Sequence, residues 1–172
     1  MLVVVDMQAP FLNAVTEGKQ LATNVANLVI GCGILKVPAI STTQYASRMG
    51  DIVPEVRHAL PPSPAHDKMV FDCCGSESFL KELGSIGAKQ VLLCGVETHI
   101  CVCQTALSLI ARGYQVHIAN NAVSSRHELD YKAGLKKMAG AGVQTSTVEM
   151  ALYELLEDAS NPSFKEVLAL IK

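Results

Sequence analysis

The sequence predicts a three-layer α/β/α domain built on a doubly wound, mostly parallel six-stranded sheet. Short continuous apolar runs recur along the chain, as in strands buried on both faces. Stretches with helical apolar spacing separate them, the alternation that parallel sheets require. With 172 residues, 49% hydrophobic and 17% charged, the chain can fill a core on both sides of such a sheet. One domain over residues 1–172 is expected, with no repeat or linker.

The first strand is expected at 2–5 (Leu-Val-Val-Val), followed by a helix over 21–35. A second strand is expected at 37–42, with a proline near its start, where a strand tolerates one. Residues 45–67 carry Pro54, Pro61, Pro62 and Pro64 and read as one long irregular connection, of the kind that covers a site or an interface. The run Lys68-Met69-Val70-Phe71 is expected to be a brief third strand, and 79–85 a helix stopped near Gly84 or Gly87. The fourth strand is placed at 91–95 and the helix after it at 99–112, ended by Gly113. A fifth strand at 114–119, a helix at 128–139, a weaker sixth strand at 142–146 and helices at 150–157 and 163–171 complete the pattern.

A formal net charge of −2 gives no electrostatic case for nucleic acid or an anionic membrane as partner. No apolar run approaches the roughly 18 residues of a membrane span. Strand material begins at Leu2, which leaves no room for a signal peptide in the sequence as written. Six cysteines (32, 73, 74, 94, 101 and 103) lie in predicted core elements or side by side, so reduced thiols are expected rather than disulfides. The expected location is intracellular: cytoplasmic, or mitochondrial or another organelle if a targeting segment precedes this sequence. There is no CxxC pair and no ligand-spaced histidine pair, so neither a metal nor another cofactor is expected.

Cys101 is the most informative residue. It follows Gly95-Val96-Glu97-Thr98-His99-Ile100, where an apolar strand turns into a helix. Thr98 suits an N-cap, which puts Cys101 in the first helical turn, where the helix dipole and unpaired N–H groups favour thiolate and depress the thiol pKa. A buried structural cysteine is the plain alternative. Asp6 emerges at the carboxyl end of the first strand, although an aspartate there serves equally well as a cap or turn residue. Lys68 opens the third strand, although an isolated lysine is usually a solvated surface charge. In a doubly wound sheet the first and fourth strands are central, so Asp6 and Cys101 border one crevice at the strands' carboxyl ends.

Taken together, these segments resemble the isochorismatase-like cysteine hydrolases, a family that includes nicotinamidases and N-carbamoylsarcosine amidohydrolase. The matching residues are Val4-Val5-Asp6-Met7-Gln8 with Phe11, Val37-Pro38 through Thr43-Gln44, and Lys68 to Phe71. Gly95 to Val102, Thr105-Ala106, Gly113-Tyr114-Gln115-Val116 and Ala122-Val123-Ser124-Ser125-Arg126 continue the match. The similarity is greatest to the eukaryotic isochorismatase domain-containing proteins. The resemblance implies a Rossmann-like, isochorismatase-like hydrolase fold and a catalytic triad of Asp6, Lys68 and Cys101. It also implies an oxyanion hole from the backbone N–H groups of Glu97 and Cys101, with a cis peptide at Val96–Glu97. Phe11, Gln44, Phe71, Val96 and His99 are candidate substrate contacts.

A cysteine at the nucleophile position favours amide hydrolysis over the vinyl-ether cleavage of isochorismatases proper. Nicotinamidases carry a D-x-H metal motif after the second strand, where this chain has Ser41-Thr42-Thr43-Gln44-Tyr45. Asn121 replaces an aspartate common in the family, and Asp72-Cys73-Cys74 departs from the family's usual small residues. Cys74 and Cys103 are expected to be packing residues rather than redox partners of Cys101. The leading expectation is therefore a hydrolase cleaving a small amide-like C–N substrate through an acyl-enzyme. A catalytically idle scaffold of the same fold and a redox-sensing thiol protein are the alternatives. The apolar run of the Cys101 helix, from Ala106 through Ala111, points to a homo-oligomer, most simply a dimer.

Overall fold

The computed structural model describes residues 1–172. Its strands are β1 (Leu2–Val5), β2 (Ala39–Gln44), β3 (His66–Lys68), β4 (Gln90–Val96), β5 (Gln115–Ser124) and β6 (Gln144–Ser146). They form one six-stranded sheet in the order β3-β2-β1-β4-β5-β6, with every pairing parallel. The helices are α1 (Ala9–Leu12), α2 (Gly18–Ile34), α3 (Ala46–Met49), α4 (Pro54–Ala59), α5 (Glu77–Ile86), α6 (Cys103–Ala111), α7 (Glu128–Gly140), α8 (Val148–Leu156) and α9 (Phe164–Ile171).

Alternation along β1 explains the three layers. Leu2 and Val4 pack into one core with α2 and α8, while Val3 and Val5 face a second core with α5 and α6. All four are fully buried, as a central parallel strand requires. In α2, Leu21, Val25, Leu28, Val29 and Cys32 repeat at helical spacing and supply the buried stripe. α5 buries Phe79 and Leu83 four residues apart, each contributing about 1.5–3 kcal/mol of burial. Gly87 ends α5 in the left-handed conformation at φ 66°.

Several expected boundaries move. β3 ends at Lys68 instead of starting there, because it pairs with the last residues of β2 (Thr42 with His66, Gln44 with Lys68). Met69, Val70 and Phe71 follow as an exposed loop, 65%, 45% and 52% accessible. The stretch 45–67 contains α3 and α4 and is not irregular throughout. β5 continues past Ala119, and its register against β4 shifts so that Gly95 and Val96 pair with Val123 and Ser124. Gly95 sits inside β4 rather than ending it: at φ 113°, a Cβ there would lie 2.1 Å from the Val5 carbonyl oxygen. That close approach brings the ends of β1 and β4 together. No helix is long and apolar enough to cross a membrane.

Candidate active site

Asp6 follows β1 in the left-handed region at φ 51°, where its N–H donates to the Thr42 carbonyl oxygen at 3.2 Å. The turn points its carboxylate into the crevice between β1, β2 and β4, where it is 1% exposed. The Thr42 hydroxyl donates to Asp6 Oδ1 at 2.7 Å. Lys68 Nζ donates to Asp6 Oδ2 at 2.6 Å and to Gln44 Oε1 at 2.7 Å. The lysine side chain is entirely buried, so the solvated-surface alternative is removed. Behind them, Gln8 Oε1 accepts from the Gln44 N–H at 2.7 Å, while Gln8 Nε2 donates to the Gly50 carbonyl oxygen at 2.7 Å.

Cys101 enters from β4 through a π-helical turn, Thr98–Val102, which precedes α6. The Val102 N–H reaches back five residues to the Glu97 carbonyl oxygen, which makes the turn wide. Thr98 does not act as the expected N-cap. It lies inside the turn, and its buried hydroxyl has no hydrogen-bond partner. The Val96–Glu97 peptide is cis. Glu97 Oε2 accepts from both the backbone N–H and Nε of Arg126, each at 3.1 Å, which ties the start of the turn to the end of β5.

Asp6 and Cys101 share the floor of one cavity of about 230 Å³. Of the expected contacts, Phe11, Gln44, Phe71 and Val96 line it, as does Glu97, expected for its backbone N–H. His99 does not: its ring points away, with Nδ1 2.9 Å from the Ser125 hydroxyl. The sequence reading missed Tyr45, Met49, Met69 and Ile100, all of them cavity residues. Their apolar character was visible, but nothing local separated them from ordinary packing residues.

The electrostatics correct another expectation. The Cys101 thiol is not depressed; burial and then the neighbouring Asp6 carboxylate push it up to about 12, outweighing the opposite pull of Lys68. The physical reason is that the lysine charge is already paired with Asp6. Burial works to lower the Lys68 pKa, but Asp6 and the Cys73 and Cys101 thiols hold it above its ordinary value. Cys73 lies beside this group, its thiol directed at the Thr42 hydroxyl and pushed up to about 11 by burial. Cys74 and Cys103 are packed in the second core, and all six cysteines are unpaired.

The isochorismatase domain profile matches residues 1–150. The chain belongs to the isochorismatase family. Isochorismatase domain-containing protein 2 of Danio rerio is 38% identical over 99% of this chain and 85% of its own length. A Caenorhabditis elegans structure described as MAR1 ribonuclease superposes with a TM-score of 0.93 at 34% identity, covering 99% of this chain and 88% of that one. Two YcaC structures also match. That from Pseudomonas aeruginosa, with hexane-2,5-diol and covalent acrylamide, has a TM-score of 0.92 at 26% identity, covering 98% and 87%. The Escherichia coli protein, described as an octameric hydrolase of unknown specificity, has 0.91 at 29%, covering 98% and 83%. Fold and family are thus those of isochorismatase-like hydrolases.

Proposed function

We propose that this family member hydrolyses a C–N bond of a small amide-like substrate through an acyl-enzyme on Cys101. One observation carries the reading: the Asp6 carboxylate is fixed by Lys68 at 2.6 Å while bordering the same cavity as the Cys101 thiol. Asp6 takes the thiol proton as sulfur attacks the carbonyl carbon, and then delivers it to the leaving amine. The C–N bond breaks, a thioester remains, and water hydrolyses it as Asp6 accepts a proton and returns it to sulfur. Lys68 stays cationic and offsets the charge that moves between Asp6 and the thiol. The N–H groups of Glu97 and Cys101 serve the developing oxyanion. That of Glu97 donates to no backbone carbonyl, which supports this role. Phe11, Gln44, Phe71 and Val96 form the walls of the substrate site, and no metal takes part in this mechanism.

A redox sensor would need a low-pKa thiol, and burial moves Cys101 the other way. An idle scaffold gives no reason for Asp6, paired with Lys68, to border the same cavity as the Cys101 thiol. The covalent acrylamide on the related Pseudomonas protein accords with a reactive nucleophile in the family.

The test is a panel of primary amides, N-substituted amides and esters, with RNA added because of the ribonuclease description of the C. elegans relative. Mass spectrometry would detect the acyl adduct. Amide turnover should vanish in Cys101→Ala and survive prolonged chelation. Retained turnover in that variant, or hydrolysis of RNA alone, overturns the proposal.

A further inference from the structure

Resting on the cysteine-hydrolase reading, we infer that the site takes substrates with an uncharged, apolar acyl group and rejects those carrying a carboxylate. The cavity walls come from separate segments that agree in character: Phe11 from α1, Tyr45 and Met49 around α3, Met69 and Phe71 from the loop after β3, and Ile100 from the π turn. The charged side chains at the cavity are Asp6 and Glu97, both acidic, and no lysine, arginine or histidine lines it. The two nearby cations are already committed. Lys68 is wholly buried and directs its ammonium at Asp6 and Gln44. Arg126 holds Glu97.

A ligand carboxylate would therefore lose its hydration and find no free cation to replace it. Gln44 offers no charge, since it is neutral; its Oε1 accepts from Lys68 and one of its two Nε2 hydrogens goes to the Met69 carbonyl oxygen, which leaves at most a single neutral donor. An apolar acyl group meets the opposite situation. Met69 and Phe71, 65% and 52% exposed at the lip, would be covered by it, and the methionines adapt to its shape. A volume of about 230 Å³ suits a single ring or a short alkyl chain, below the usual span of drug-sized sites.

Two alkylating agents with the same leaving group test this without a known substrate: N-phenyl iodoacetamide, neutral and aromatic, and iodoacetate. In each, sulfur displaces iodide from carbon while the thiol proton leaves to Asp6. Rates at Cys101, followed by peptide mass spectrometry, are divided by the rates with glutathione. The neutral reagent should be favoured by about tenfold or more, as expected for desolvating an unpaired charge. Phe71→Arg, at a half-exposed position, should raise the iodoacetate rate several-fold. Equal or faster reaction with iodoacetate in the unaltered protein overturns the inference, and so does failure of both reagents to label Cys101. The two readings fail separately. Amide turnover retained by Cys101→Ala refutes the nucleophile, whereas an inverted reagent preference refutes only the pocket chemistry.

Discussion

Cys101 is surrounded by groups that pull its proton in opposite directions, and their ranking decides how the residue behaves at rest. Burial and Asp6 raise its pKa to about 12 and outweigh the lowering by Lys68, whose ammonium is paired with Asp6 at 2.6 Å. A raised thiol pKa means the protonated form persists to higher pH. At neutral pH the resting thiol is overwhelmingly protonated. On the proposed mechanism the nucleophile is therefore made during attack, by transfer to Asp6, and is not stored. Lys68, also raised, keeps its charge at that pH. Iodoacetamide labelling of Cys101 between pH 6.5 and 9.5 should therefore be nearly independent of pH in the unaltered protein and should rise about tenfold per unit in Asp6→Asn, where only free thiolate can react. A sigmoidal rise within this window in the unaltered protein would mean a depressed thiol and would restore the stored-thiolate picture.

Among the elements, the π turn and the end of β5 act as a unit. Arg126, just beyond β5, grips Glu97 through two hydrogen bonds to one oxygen, and β5 reaches it because its register shifts opposite Leu93 and Gly95. If the Glu97 N–H serves the oxyanion, loosening that grip should lower kcat while leaving KM nearly unchanged. Arg126→Ala should cost about 10- to 100-fold in kcat, the scale of a small misplacement, with partial rescue by lysine. An equal rise in KM, or no loss, would assign Arg126 to surface packing. The same elements mark what a sequence can and cannot disclose. Asp6 and Cys101 were legible because each follows a buried apolar run at the carboxyl end of a central strand. Lys68 was legible as a residue but not in its position, since Met69-Val70-Phe71 reads as strand and instead forms the exposed lip. The four- and six-residue helices α3 and α4 are too short to show a period. The turn of His99 towards Ser125 depends on a partner 26 residues away, which no local pattern records.

For the whole molecule, the open question is where its apolar surface goes. The expected source of an oligomer interface, the apolar run of α6, is largely accounted for within the chain, since Leu107 and Ile110 pack against the second core. The surplus lies elsewhere: Leu129 at 80% exposed, Met69 and Phe71 at the cavity lip, and Met150 and Leu155 on α8. Isolated exposed leucines are ordinary, but several large apolar side chains on separate faces suit self-association through more than one contact. Closed symmetric assemblies with more than one interface, such as dimers of dimers, are the usual result. Light scattering coupled to size exclusion, at micromolar concentration, should return a mass of at least twice the 18.3 kDa of one chain. A mass fixed at the single-chain value, unchanged as the protein is concentrated, would show that these side chains face water and that the cavity lip is completed by one chain alone.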